Sequence, residues 1–290
     1  WRNAGAISNE GIELMVKYDI FNRQDLYWKI SVNGARNWNR FEKSYDGKDF
    51  SGNIIGKPLN GIYALKTDGF IGEQDEMKVF YNQMGVSNYL SGFFKNAFYK
   101  PGDHKFIDVN GDGEINADDR VYCGSTLPTI SGGIVNEFRW KNFDLNMLMA
   151  YSLGRHIVNY VAKKVWTDGQ YALMGDLNDV SFWEKPGDHP DYPKLEAARL
   201  NANWDYVDRD VEKVNYLRLK TLTMGYSFPK KWSRKAGIDE LRVFVSGENL
   251  FTWTNYSGLD PETVDITTGI DYTLNYPLAR KYTLGLTLKF

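Results

Sequence analysis

The sequence predicts an all-β chain that forms part of an antiparallel transmembrane β-barrel. Three observations point there: apolar and polar side chains alternate with period two, connections alternate short and long, and the last strand closes on an aromatic residue. In residues 10–21, Ile12, Leu14, Val16, Tyr18 and Ile20 share one parity, while Glu13, Lys17 and Asp19 take the other. After the turn Asn22-Arg23-Gln24, Leu26, Trp28, Ile30 and Val32 face one way and Lys29, Ser31 and Asn33 the other. A second pair repeats the plan around Lys141-Asn142. Ile134, Phe138 and Trp140 precede that turn, and Phe143, Leu145, Met147, Met149 and Tyr151 follow it. The third pair is 216–228 and 241–250. Leu241, Val243 and Val245 alternate cleanly, whereas both parities of 216–228 carry apolar residues and its facing stays ambiguous. Residues 281–290 close the series, with Tyr282, Leu284, Leu286, Leu288 and Phe290 opposite Thr283, Gly285, Thr287 and Lys289.

Short turns join the members of each pair, the third through 229–238, which has room for one helical turn. Long connections run from about 39 to 129, 154 to 215 and 251 to 280. A transmembrane barrel shows this alternation, with tight periplasmic turns and long extracellular loops. The ending Thr283-x-Gly285-x-x-Leu288-x-Phe290 resembles the terminal signal of outer-membrane proteins. Seven strands would leave two open edges whose amides lipid cannot satisfy. Further strands are therefore expected ahead of Trp1, where the chain opens without Met or an apolar leader.

Composition agrees. Aromatic residues make up 15% of the 290 residues, and no apolar run reaches the roughly 20 residues of a spanning helix. Mean hydropathy is −0.48 and the isoelectric point about 6.0. A net charge of −2 gives no reason to expect a nucleic-acid partner. Cys123 stands alone and cannot form an internal disulfide.

One segment has ligand spacing. Residues 108–119 fit a twelve-position calcium loop, with Asp108, Asn110, Asp112 and Asn116 at positions 1, 3, 5 and 9. Glu114 would offer its carbonyl at position 7, Gly113 takes the sharp turn at position 6, and Asp119 closes the loop. Ca²⁺ requires several hard oxygen ligands, and this spacing supplies them from one segment. Asp in place of Glu at the last position leaves weaker Ca²⁺ binding, or Mg²⁺, open. The alternative is an Asx/Gly-rich turn without an ion. The flanks do not read as paired helices, so the loop is expected to be structural.

Several stretches resemble the SusC/RagA-like TonB-dependent outer-membrane transporters of Bacteroidetes. They include 9–14 (NEGIEL), 66–70 (KTDGF), 106–113 (FIDVNGDG), 142–145 (NFDL), 216–226 (YLRLKTLTMGY), 241–251 (LRVFVSGENLF) and 276–285 (YPLARKYTLG). The Leu278-Ala279-Arg280 of the last departs from the family's usual Leu-Pro-Arg. The resemblance implies that residues 1–290 are the C-terminal part of a large plugged barrel, with the calcium-type loop outside the cell. It also implies import of bulky nutrients, glycans or peptides, with energy from the TonB complex through a part of the protein not in this chain. A SusD-like surface lipoprotein as lid and a location in the outer-membrane bilayer follow from the same resemblance.

No catalytic constellation emerges, and the chain reads as a non-enzyme. His104, His156 and His189 fall in predicted loops without metal spacing, and are expected to be solvated. Trp166, Tyr171, Phe182, Trp183, Tyr192, Trp204 and Tyr206 in the second long loop could stack on sugars or peptide side chains, or serve loop packing and lid contact. Trp28, Trp38, Trp140 and Trp253 sit near strand ends, as interface aromatics do. Two other classes stay open: a calcium-stabilised secreted carbohydrate-binding β-sandwich, and a passive porin.

Overall fold

A computed structural model describes residues 5–49, 53–72, 101–112, 115, 117–160, 181–194, 206–271 and 275–290. The strands are β1 (Gly5–Asn22), β2 (Leu26–Ser44), β3 (Gly61–Leu65), β4 (Thr67–Phe70), β5 (His104–Phe106), β6 (Arg120–Ser125), β7 (Ile130–Trp140), β8 (Phe143–Val158), β9 (Val211–Ser227), β10 (Glu240–Thr254) and β11 (Lys281–Lys289). Seven of them form one sheet in the order β1-β2-β7-β8-β9-β10-β11, and β3–β6 and β4–β5 form two-stranded sheets. Every neighbouring pair in the large sheet is antiparallel. As the alternation anticipates, β11 pairs with β10, Leu241 opposite Leu288.

Register gives the sheet two chemically opposite faces. One row of partners across all seven strands reads Phe21, Trp28, Phe138, Leu145, Met224, Val245, Leu284. A neighbouring row reads Asp19, Lys29, Glu137, Asn146, Thr223, Ser246, Thr283. Side chains directly opposite on paired strands share a face, so the first row belongs to an apolar face and the second to a polar one. The apolar face lies open: Leu14 is 67% exposed and Leu284 75%. Soluble monomers rarely expose a contiguous apolar patch beyond a few hundred Å², and an outward apolar face of this kind is what a barrel wall turns to lipid. Among the described residues no second sheet packs over it, which removes the support for a β-sandwich.

Aromatic rings border the apolar band at both ends. At the short-turn end Phe21 meets Trp28 at 6.2 Å between centroids, Phe143 meets Tyr226 at 4.7 Å, and Tyr226 meets Phe228 at 5.1 Å. At the long-loop end stand Trp38, Tyr151, Tyr282 and the stacked pair Phe251–Trp253. From Phe143 to Tyr151, β8 covers about 26 Å at ~3.3 Å per residue, and its nine residues match the roughly 9–11 of a tilted crossing strand. Asn136 is a polar group within the band, and its Oδ1 accepts a 2.7 Å bond from the Trp28 indole.

The ambiguous strand is resolved by an irregularity. Leu148 pairs with Thr221 but Met149 with Leu219, so Lys220 is passed over. Leu217 and Leu219 above that point therefore share a face with Leu222, Met224 and Tyr226 below it. Both parities are apolar because the parity changes. On β10 the pairing skips from Glu248 to Phe251 at the same level, with Asn249 at φ 52°.

Polar-face contacts cross strands too. Arg242 on β10 donates from Nε and Nη2 to Asp144 on β8, at 3.0 and 2.5 Å. The pair passes over Gly225 of β9, where a Cβ would sit 2.4 Å from Arg242 Nη2.

The strands outrun the expected spans. β2 continues to Ser44 and β8 to Val158, whereas the sequence reading ends them near 39 and 154. A barrel crossing uses about 9–11 residues, and the surplus projects above the band. There the buried apolar residues gather: Leu65, Ile71, Ile115, Ile157, Val207, Val214 and Val264. The core of the chain is thus a loop layer, tied by a Leu65–Val207 bridge and a 2.7 Å bond from Thr67 Oγ1 to Asp208 Oδ1.

The two faces set opposite tolerances. Met147→Arg, mid-band on the apolar face, is expected to cost about 2–4 kcal/mol. Asn146→Arg, next to it on the polar face, should be near neutral. Urea unfolding of the complete polypeptide from lipid vesicles measures both.

Candidate functional site

The described part of the calcium-type segment ends in the 3₁₀ turn Ala117–Asp119. Asp119 is fully buried, and its Oδ1 accepts the amide of Val109 at 2.8 Å, which joins the two ends of the loop. Asp108 Oδ1 accepts the Gly111 amide at 2.7 Å, and Asn110 Oδ1 accepts that of Asp112 at 2.9 Å. Asn110 Nδ2 donates to Asp112 Oδ2 at 2.9 Å. Gly111 turns with φ 75°, and Ile115 is wholly buried beneath the loop. Glu114, Asn116 and Gly113 lie outside the described residues. Among those described, no three His, Cys, Asp or Glu side chains converge on one point. Asp108, Asn110, Asp112 and Asp119 present an all-oxygen donor set, which suits a hard cation.

A second constellation went unseen in the sequence. Arg218 of β9 and Arg155 of β8, both buried, grip the segment after β10. Arg218 Nη2 meets Asp260 Oδ1 at 2.5 Å, and its Nη1 meets Glu262 Oε2 at 3.1 Å. Lys220, the residue passed over in the register, pairs with Glu262. Asp260 also accepts the amides of Glu262 and Leu278, at 3.0 and 3.1 Å. Arg155 donates to the carbonyls of Pro261, Val264 and Asp265 at 3.0, 2.9 and 3.1 Å. Arg218 is in register with Ala150 and Thr252, on the polar face. The segment is thereby held on the polar-face side of the sheet, beside a cavity of about 730 Å³ lined by Thr252, Thr254, Pro261 and Leu278. Nearby, Tyr256 donates to Asp271 Oδ2 at 2.6 Å. Burial, then the Asp271 contact, pushes the phenol far above its ordinary range, and burial raises the Asp271 carboxyl against that same bond.

No family model matches the chain. Over its whole length it is 30% identical to TonB-dependent receptor P3 of Formosa agariphila, of which it spans 29%. It is 26% identical to TonB-dependent receptor SusC of Bacteroides thetaiotaomicron, again over its whole length and 27% of the receptor. The chain is homologous to TonB-dependent receptors. Its fold matches the RagAB peptide transporter with a TM-score of 0.68 at 23% identity, covering 100% of this chain and 30% of that one. The RagAB importer in its open-open state gives 0.70 at 22%, over 99% and 29%. The chain thus spans less than a third of the length of these receptors and structures.

TonB-dependent receptors are outer-membrane β-barrel proteins, and a two-faced antiparallel sheet is what such a wall requires. No helix among the described residues is long and apolar enough to cross a membrane. These relatives are transport receptors, which are not enzymes. The histidines depart from the solvated reading in two cases of three. His104 is buried on β5 and stacks on Phe70 at 5.3 Å. His156 packs over Gly124, which has φ 138° and where a Cβ would meet the imidazole at 2.3 Å. Burial holds the His156 pKa below its usual value, a backbone bond to Ser125 opposing. His189 is exposed. Cys123 is half-buried, its thiol donating to the Val121 carbonyl at 3.4 Å.

Of the loop aromatics in this receptor homologue, Trp166, Tyr171 and Trp204 lie outside the described residues. Phe182 packs on Tyr192 at 5.8 Å, Trp183 is buried with the Lys194 ammonium 6.0 Å from its ring, and Arg120 lies over Tyr206. All four make contacts within the loop layer.

Removing Arg218 strands Asp260 without its counter-charge. Arg218→Met is expected to cost about 3–5 kcal/mol, with faster hydrogen exchange over 256–271. Asp260→Leu combined with it should recover part of the loss, which a double-mutant cycle on the complete polypeptide measures.

Proposed function

We propose that this chain is the C-terminal portion of an outer-membrane active importer of bulky nutrients, glycans or peptides. TonB drives it through a part of the protein outside this chain, and a SusD-like surface lipoprotein caps it. The observation that carries the reading is the paired rows, one wholly apolar and one wholly polar across seven strands, in a chain homologous to TonB-dependent receptors along its full length. The short turns then lie on the periplasmic side, and the long connections with their buried layer lie outside the cell.

Deleting the encoding gene is expected to abolish growth on either peptides or glycans as sole nutrient. Dissipating the proton-motive force should stop uptake of the same compound in the intact strain. Uptake that persists without that force would point to a passive porin. An acylated surface lipoprotein should co-purify from solubilised outer membranes.

The loop 108–119 is assigned on this reading as a structural Ca²⁺ site. Support comes from the oxygen spacing, the Asp119–Val109 closure and the anchoring of Ile115. Asp108, Asn110, Asp112 and Asp119 would hold the ion through side-chain oxygens, with Asn116 and the Glu114 carbonyl completing the set. Chelation by EGTA is expected to expose this loop to proteolysis and to lower the melting temperature of the complete receptor. Asp112→Ala should remove the EGTA effect while leaving the Asp119 closure in place. Unchanged cleavage with and without chelator would leave only the ion-free turn.

A further inference from the structure

The lipid-facing side carries one feature that an apolar wall alone does not require. Between β7 and β10, at the short-turn end, the band opens into an apolar groove of about 690 Å³, walled by Phe138, Trp140, Phe143, Met224, Tyr226 and Phe228. Two turns border that end. The β7–β8 turn places Lys141 at φ 53°, its ammonium 5.6 Å from the Trp140 ring centroid. The β9–β10 turn follows directly on Phe228 and holds Lys230, Lys231, Arg234 and Lys235 around Trp232, which is 60% exposed. The two turns are neighbours, since Ser227 donates to the Asn142 carbonyl at 2.9 Å. Against these five cations stand Asp239, Glu240 and Asp25; Asp239 lies 3.4 Å from Arg234, and the Asp25 carbonyl accepts the Lys141 amide at 2.8 Å. Lys141, Lys230 and Lys231 are exposed, next to the groove in sequence.

We propose that this groove and the two basic turns form a binding site for one anionic phospholipid. An acyl chain lies along the groove and the headgroup phosphate rests on Lys141, Lys230 and Lys231. The chemistry is specific to such a ligand. The groove walls are hydrocarbon and aromatic, the exit is cationic, and the two meet at a ring of interfacial aromatics, where a lipid changes from tail to headgroup. Trp232 then lies at headgroup level as a further anchor. A soluble anion would use the lysines but not the groove, and a neutral lipid the groove but not the lysines.

The proposal rests on the membrane-wall reading above, and the test separates the two. The complete receptor is reconstituted into phosphatidylcholine nanodiscs containing a minority of phosphatidylglycerol, and retained lipid is counted by native mass spectrometry. Phosphatidylglycerol is expected to be enriched over its share in the bilayer. A Lys141→Gln/Lys230→Gln/Lys231→Gln variant, checked for folding by heat-modifiability, should lower that enrichment at least about fivefold, the effect of roughly one charge at an anionic surface. Met224→Trp keeps the charges and fills the groove, and should also lower retention. Excess inorganic phosphate should leave retention unchanged. Equal retention of both lipids, or no response to either variant, overturns the proposal while leaving the wall intact. Displacement of the lipid by phosphate overturns it in favour of a free-anion site. A receptor that fails to enter nanodiscs overturns the wall reading and this proposal with it.

Discussion

Everything in this chain depends on the register of one seven-stranded sheet. In hydrocarbon each backbone N–H and C=O must find its partner within the protein, and a ladder of antiparallel strands supplies them. Side-chain parity then becomes binding, because a slip of one residue turns a whole strand's apolar set from lipid to water. The row from Phe21 to Leu284 beside the row from Asp19 to Thr283 shows the register holding across every pair. Where a strand must break step, as at Lys220, its partner β10 breaks step at the same level and the faces stay intact.

The upper part of the molecule follows a different rule. Above the band the strands leave lipid, and stability returns to ordinary burial. Leu65, Ile157, Val207 and Val214 pack there with the strand extensions and small sheets. Two arginines on adjacent strands then decide where the last long segment goes. A buried charge needs compensating partners, and the 260–265 segment supplies Arg218 with two carboxylates and Arg155 with three carbonyls. The segment therefore folds over the polar face rather than away from it. On the proposed importer reading, the polar face and the loops above it are the surfaces a solute would meet, and this clamp would shape the space there.

The sheet was largely legible from residues such as Ile12, Leu14 and Val16, because period-two alternation is a local signal. The facing of 216–228 was not, since the shift at Lys220 shows only through its partners, Thr221 with Leu148 and Leu219 with Met149. The calcium-type loop was legible as spacing, and the structure adds the closure of its ends by Asp119 and the seat of Ile115. The Arg218–Asp260 pair was beyond reach: the residues are 42 apart in sequence, and neither stands in a pattern that names the other. His104 and His156 were misread for a related reason. Strands β5 and β8 carry them into a layer whose burial comes from segments distant in sequence.

By itself the sequence determined the class of the protein: antiparallel strands with one apolar and one polar face, short turns on one side and long connections on the other. That information lies between residues two apart, and the pleat turns it directly into faces. Only the tertiary structure decided how far the strands rise above the band, where the buried core lies, and which loop the arginines hold. Those outcomes depend on which distant groups remove water from one another, and a period of two carries nothing about that.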